Sequence, residues 1–133
     1  MTLLEAVRKA KRVFIIGNGG SFANAAHMAN DLIASGVAAF TLDGATLTAM
    51  ANDYGYETVF ERWLRVVGDK GDILIALSGS GKSPNILNGI KAAEEKGMDV
   101  WRVFGVARGE DMQTAEEMQV FIGHELMRGL KCG

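Results

Sequence analysis

The chain has one cysteine, one proline and two histidines among its 133 residues. The lone cysteine, Cys132, has no second thiol to pair with, so an internal disulfide is excluded. That usage suits a reducing compartment, and the expected location is cytoplasmic. The lone proline, Pro84, marks no linker, and no repeat or low-complexity tract interrupts the chain. Residues 1–133 therefore read as a single domain. Long apolar runs are missing too. The basic start Arg8, Lys9, Lys11, Arg12 is followed by only four apolar residues, too few for a signal-peptide core or a membrane span, so no membrane partner is expected. Neither sign of charge dominates. A net charge of −2 gives no general attraction to nucleic acid, and no direct nucleic-acid partner is expected.

Glycine, by contrast, is plentiful and concentrated where it matters. Val13-Phe14-Ile15-Ile16 reads as a short buried strand, stopped by Gly17-Asn18-Gly19-Gly20-Ser21. Glycines permit a sharp turn and a close approach to the backbone. Ser21 is a suitable N-cap for the helical pattern that follows to about residue 35. Strand, glycine turn and helix N-terminus together favour an anion. A dinucleotide fingerprint is the rival reading. Gly17 and Gly19 fit it and Asp43 could hold a ribose, but Phe22 stands where the third glycine belongs. A single phosphate, without a nucleotide cofactor, is the preferred expectation, and a merely structural turn is the third.

The rest of the chain alternates in the same way. A short helix over 2–11 precedes the strand at 12–16. The helix over 22–35 places Phe22, Ala25, Ala26, Ala29, Leu32 and Ile33 on one stripe. Strands are expected at 37–42, 72–77 and 98–104. Helices are expected at 46–51 and 57–67, broken at 52–55, then from Pro84 to about 96 and over 114–131. Alternating strands and helices predict an α/β fold, with a doubly wound, mostly parallel sheet of about four to five strands covered on both faces. Ligands in such sheets sit beyond the carboxyl ends of the strands, which is where both glycine turns fall.

The second turn is Ser78-Gly79-Ser80-Gly81-Lys82-Ser83. Its end resembles a nucleotide P-loop, but Ala76 occupies the position of that motif's first glycine. Three serines before a helix N-terminus suit a phosphate monoester better, with a plain solvated turn as the alternative. Two histidines complete the candidates. His27 and Asp31 are four apart on a helix, so they are either a solvated pair or two metal ligands. His124 lies in a last helix whose apolar residues spread around nearly the whole circumference. That pattern predicts burial in a subunit interface, with residues 115–131 forming it. Glu117 shares the His124 line, and Glu116 lies further round.

These residues, taken together, closely resemble the sugar-isomerase (SIS) domain family. The matching stretches are Gly17 to Ser21 with His27, Leu47-Thr48-Ala49-Met50-Ala51-Asn52-Asp53-Tyr54-Gly55-Tyr56, and Leu77 to Ser83. Within that family they look like the isomerases that interconvert sedoheptulose 7-phosphate and D-glycero-D-manno-heptose 7-phosphate. The resemblance implies a flavodoxin-like fold, here shortened at both ends, and a homotetramer with sites between subunits. It implies that Asn18, Gly19, Ser21, Ser78, Ser80 and Ser83 hold the sugar phosphate, with Asn52 and Asp53 near the sugar. It also implies zinc on His27, Asp31, Glu116 and His124, with Asp31 and His124 as the proton-moving pair. Asp31 and Glu116 stand where the family has Glu and Gln, and each can ligate zinc through oxygen. A non-catalytic sugar-phosphate-binding or protein-interaction module is the other class of function open to this domain.

Overall fold

The computed structural model describes residues 1–105 and 111–132. Helix α1 (Leu3–Lys9) opens with Thr2 accepting from Glu5 N–H while the Glu5 side chain accepts from Thr2 N–H, a reciprocal cap. Then come β1 (Val13–Ile16), α2 (Gly20–Ala34), β2 (Ala39–Thr41), α3 (Gly44–Tyr54) and a short 3-10 turn at Tyr56–Thr58. Helix α4 (Val59–Val67), β3 (Ile73–Ser78), α5 (Pro84–Glu95), β4 (Asp99–Phe104) and α6 (Met112–Cys132) follow among the described residues.

Among the described residues all four strands are parallel, in the order β2-β1-β3-β4. The order reverses between β1 and β3. At such a switch point two loops leave the sheet toward opposite faces and open a crevice at the strands' carboxyl ends. The two loops here are 17–19 and 79–83.

Strands β1 and β3 are buried along their whole length, as continuous apolar runs in a parallel sheet should be. Alternation sends Val13 and Ile15 to one face, where Ala25, Met28, Leu32 and Leu126 of α2 and α6 cover them. Phe14 and Ile16 go to the other, against Phe60, Leu64, Ile86 and Ile90 of α4 and α5. At the strands' amino ends Arg12 forks onto Asp72 at 3.1 and 2.7 Å, and Asp69 N–H donates to the same carboxylate at 2.8 Å. The hydrogen bond that Arg12 donates to Asp72 raises the Arg12 pKa above its usual range.

Several boundaries differ from the sequence reading. Helix α2 begins at Gly20 with Gly19 as N-cap at φ +56°, so Ser21 is inside the helix and not its cap. Its buried stripe is rotated toward Met28 and Asp31, leaving Ile33 exposed, because α6 packs on that side. Helix α3 runs through Asn52 and Asp53 and stops only at Gly55, φ +100°. Helix α6 buries a single stripe at Ala115, Gln119, Gly123 and Leu126, while Phe121 stays 57% exposed.

Asp43 caps α3, accepting from Thr46 N–H and hydroxyl at 2.9 Å each; the backbone bond leads in lowering its pKa. The acid offered to a ribose by the dinucleotide reading is thus engaged as a helix cap. Asp111 does the same for α6 through Thr114 N–H. Both folded-state values are depressed, so these caps contribute fully above the ordinary carboxyl range and lose that contribution as pH falls through the lowered values. An Asp43→Ala, Asp111→Ala double variant should therefore lose less stability than the parent on going from about pH 5 to about pH 2, measured by urea unfolding. An identical loss in both proteins would contradict it.

Candidate active site

The second turn is built by its own serines. Ser78 Oγ accepts from Gly81 N–H at 2.9 Å and Ser80 Oγ from Lys82 N–H at 3.1 Å. Gly81 sits at φ +68°, which permits the reversal. Because both hydroxyl oxygens act as acceptors here, their own protons stay available to a ligand. Ser83 is the N-cap of α5 and makes no capping bond, and Pro84 follows at the first helical position. Gly19 likewise leaves α2 without a side-chain cap. Helices α1 and α3, away from this turn, are both capped by side chains. Two uncapped helix starts thus face one cavity lined by Asn18, Ser21, Ser78, Ser80, Ser83 and Met112. Their free N–H groups and dipole ends favour an anion there.

Two of these residues carry further ties. Asn18 exchanges a reciprocal pair of amide hydrogen bonds with buried Asn85, 2.8 Å each way, and accepts from the Tyr56 hydroxyl at 2.7 Å. Its side-chain oxygen is therefore committed to the protein. Ser21 is buried and receives a hydrogen bond from Gln119 Nε2 at 3.0 Å. Asn52 and Asp53 lie on the last turn of α3, exposed, with Asn52 Nδ2 donating to Asp53 Oδ1 at 3.1 Å; neither lines the serine cavity.

The second cluster joins α2 to α6. His27 Nε2 and His124 Nε2 are 3.1 Å apart. Asp31 Oδ2 lies 3.3 Å from the first and 3.7 Å from the second. The Asp31 side chain is only 12% exposed, the histidines 51% and 41%. The pair expected of His27 and Asp31 is present, but only His27 is solvated, because α6 covers the carboxylate. Asp31 Oδ2 is shut off from solvent and accepts no hydrogen bond among the described residues. An orphaned carboxylate oxygen is costly unless a cation or proton meets it. Ligand atoms about 2.0–2.1 Å from a tetrahedral ion lie about 3.3 Å apart, close to the spacing seen. The three residues are thus a fitting place for a divalent metal, with all ligand atoms within 4.8 Å of one another.

Glu116 is not in that group. Residues eight apart on a continuous helix are separated by about 12 Å of rise, so Glu116 and His124 reach different levels of α2. The Glu116 carboxylate rests on Gly20, where the positive end of α2 favours it, and its carbonyl accepts from Asn24 Nδ2 at 3.0 Å. Glu117 is exposed.

Sequence reasoning missed Asn85, Tyr56, Asn24 and Gln119. Asn85, one residue inside a proline-started helix, carried the clearest signal, since that position faces the turn. Nothing in apolar periodicity flags the other three.

The chain is similar to known proteins over most of its length. The SIS domain family model matches residues 1–105. A phosphoheptose isomerase from Burkholderia pseudomallei (strain 1710b) is 35% identical, over 98% of this chain and 75% of its own length. One from Campylobacter jejuni is 36% identical, over 93% of this chain and 78% of its own. Among solved structures, a phosphoheptose isomerase from Neisseria gonorrhoeae superposes with a TM-score of 0.88 at 27% identity, covering 98% of this chain and 82% of that one.

Proposed function

From the premise that this chain belongs to the SIS domain family, we propose that it is a phosphoheptose isomerase, an aldose–ketose isomerase acting on sedoheptulose 7-phosphate. The observation that carries the reading is the pairing of a serine-lined anion cavity at the start of α2 with a His-Asp-His cluster further along the same helix.

The reaction moves hydrogen between neighbouring carbons. A base removes a proton from C1 of the ketose while the C2 oxygen takes one up. The resulting enediol regains a proton at C2 and loses one from the C1 oxygen, leaving the aldose. Such a path needs a base, an acid and a way to hold charge on oxygen. Ser78, Ser80 and Ser83 hold the phosphate through their hydroxyl protons, and Ser21, Gly19 and the Asn18 turn close it from the α2 side. Asn52 and Asp53 lie toward the sugar. Asp31 moves the carbon-bound proton and His124 exchanges the proton on oxygen, each through an atom that is not holding the metal, so the two roles compete for the same side chains. His27, Asp31 and His124 would hold zinc, which, when bound, supplies positive charge that polarises an oxygen of the substrate. Glu116 is a weaker candidate for that ion than the family pattern implies.

Incubation with sedoheptulose 7-phosphate, with and without zinc, should produce the aldose phosphate. Absence of product under both conditions would overturn the reading. The phosphate site has its own check. Ser80→Ala with Ser83→Ala should weaken binding of inorganic phosphate by about tenfold or more, since two hydrogen bonds to a charged group are removed. Unchanged affinity in titration calorimetry would remove the phosphate from this turn.

The family also supplies a cytoplasmic homotetramer as the expected assembly. Exposed Phe121, with half-buried Ile122, Leu3 and Leu4 around one apolar groove, supports an interface on α1 and α6. Among the described residues no helix is long and apolar enough to cross a membrane, so that groove is not part of a helical span. Light scattering at micromolar concentration should give a multiple of the chain mass, and a folded monomer would refute the interface.

A further inference from the structure

Gln119 stands out on α6. It is 1% exposed, it is the one buried polar side chain of that helix among the described residues, and its hydrogen bonds go to Asn24 and Ser21, not to the His-Asp-His cluster. Burying an amide between two helices is unfavourable unless every polar atom is met. A leucine there would pack α6 on α2 without that cost. The amide therefore needs a reason.

The hydrogen bonds fix its orientation. Asn24 Nδ2 donates to the Glu116 carbonyl at 3.0 Å and to Gln119 Oε1 at 2.9 Å. A backbone carbonyl can only accept, so the Asn24 nitrogen, not its oxygen, faces α6. Gln119 must then turn its oxygen toward Asn24 and its nitrogen toward Ser21. Nε2 donates to Ser21 Oγ at 3.0 Å. Ser21 Oγ is thus an acceptor on its buried side, and among the described residues it donates to nothing. Its proton is left for the cavity that Ser21 shares with Ser78, Ser80 and Ser83.

We infer that Gln119 is a positioning residue for the anion site: through the Asn24–Gln119–Ser21 chain it holds the Ser21 hydroxyl as a donor into the cavity. The inference rests on the phosphate reading of that cavity and adds a residue from a different helix to it. Ser21 without this partner could spend its proton on a neighbouring carbonyl, as serines inside helices commonly do. With it, the hydroxyl is set before the ligand arrives, and no reorientation is required on binding.

A double-mutant cycle tests it with inorganic phosphate as the probe and titration calorimetry as the readout. Gln119→Met, matched in volume, should weaken phosphate binding by about three- to tenfold when Ser21 is present. In the Ser21→Ala background the same change should alter affinity by less than about twofold, since contacts in one network are not additive. Gln119→Glu is the second variant. Its carboxylate still accepts from Asn24, but on the other side it must take the Ser21 proton instead of donating, so the loss should be at least as large. With sedoheptulose 7-phosphate, Gln119→Met should raise KM and leave kcat within about twofold, the pattern of lost uniform binding. A merely structural amide would instead lower the unfolding midpoint while leaving phosphate affinity unchanged, and that result overturns the assignment. Equal losses with and without Ser21 overturn it too. If Ser80→Ala with Ser83→Ala also leaves phosphate binding intact, the phosphate reading itself has failed. If that pair weakens binding and both Gln119 variants do not, only the role of Gln119 falls.

Discussion

Asp31→Asn is expected to lower the isomerisation rate by about two to four orders of magnitude, the range for removing a positioned general base. The amide keeps the size of the side chain, so α6 should still close over it. It cannot take a proton from carbon, and it presents a neutral atom where Oδ2 meets two imidazole nitrogens. His124→Ala should be comparably damaging, because it removes the proton carrier on oxygen and one corner of the metal cluster together. Metal content measured beside activity separates the roles. If His27→Ala loses bound zinc and keeps most of its rate, the ion is not needed for proton transfer. If zinc and rate vanish together in His27→Ala, which leaves both proposed proton carriers in place, the cluster works through its ion. Full activity in Asp31→Asn would remove the carboxylate from the mechanism.

Gly17→Ala is the second large effect. A Cβ at Gly17 would lie 2.6 Å from the Ser21 carbonyl oxygen and 2.7 Å from its carbon. Both are backbone atoms in the first turn of α2, so no side-chain rotation relieves the contact. Overpacking of this kind costs about 1–3 kcal/mol. The strain would fall on the segment that carries Asn18, Gly19 and Ser21, so phosphate affinity should drop along with the unfolding midpoint. Gly44→Ala is the matched control. Nothing lies within 4 Å of a Cβ there, and the residue begins α3 with ordinary φ. It should be neutral or stabilising by about 0.4–1 kcal/mol. Equal behaviour of the two variants in chemical denaturation would show that the close approach at Gly17 is not a constraint.

The parts of this fold that can be read from the chain are those decided locally. Val13 to Ile16 and Ile73 to Ser78 are apolar runs cut off by glycine turns, and each is a strand buried on both faces. Pro84 fixes the start of α5 to the residue. The α/β class, the parallel sheet and the two turns at the carboxyl ends follow from those elements. What could not be read depends on which helix covers which. Counting apolar residues placed the α2 stripe one side too far, because the partner α6 is more than eighty residues away in sequence. The same distance hid the burial of Asp31, which on its own helix looks like a solvent-facing acid. Gln119 escaped for a different reason, since an amide counts as polar in any periodicity scan. Family spacing proposed Glu116 for the metal, but spacing in sequence becomes distance only through helix rise, and α6 runs unbroken from Met112 to Cys132.

Helix α2 carries Ser21 at the anion cavity and His27 in the cluster, separated by about 9 Å of rise. A rigid rod of that length is a gauge. On the proposed chemistry it measures the sugar: the phosphate is pinned at one end, and the carbon that exchanges its proton must arrive at the other. A triose phosphate anchored by the serines falls short of His27 and Asp31, whereas an extended heptose phosphate is long enough to cover that rise. Selection for long sugars then needs no pocket shaped to the chain's middle carbons. It comes from a count of peptide units between two residues, and inserting one helical turn there would lengthen the gauge by about 5.4 Å.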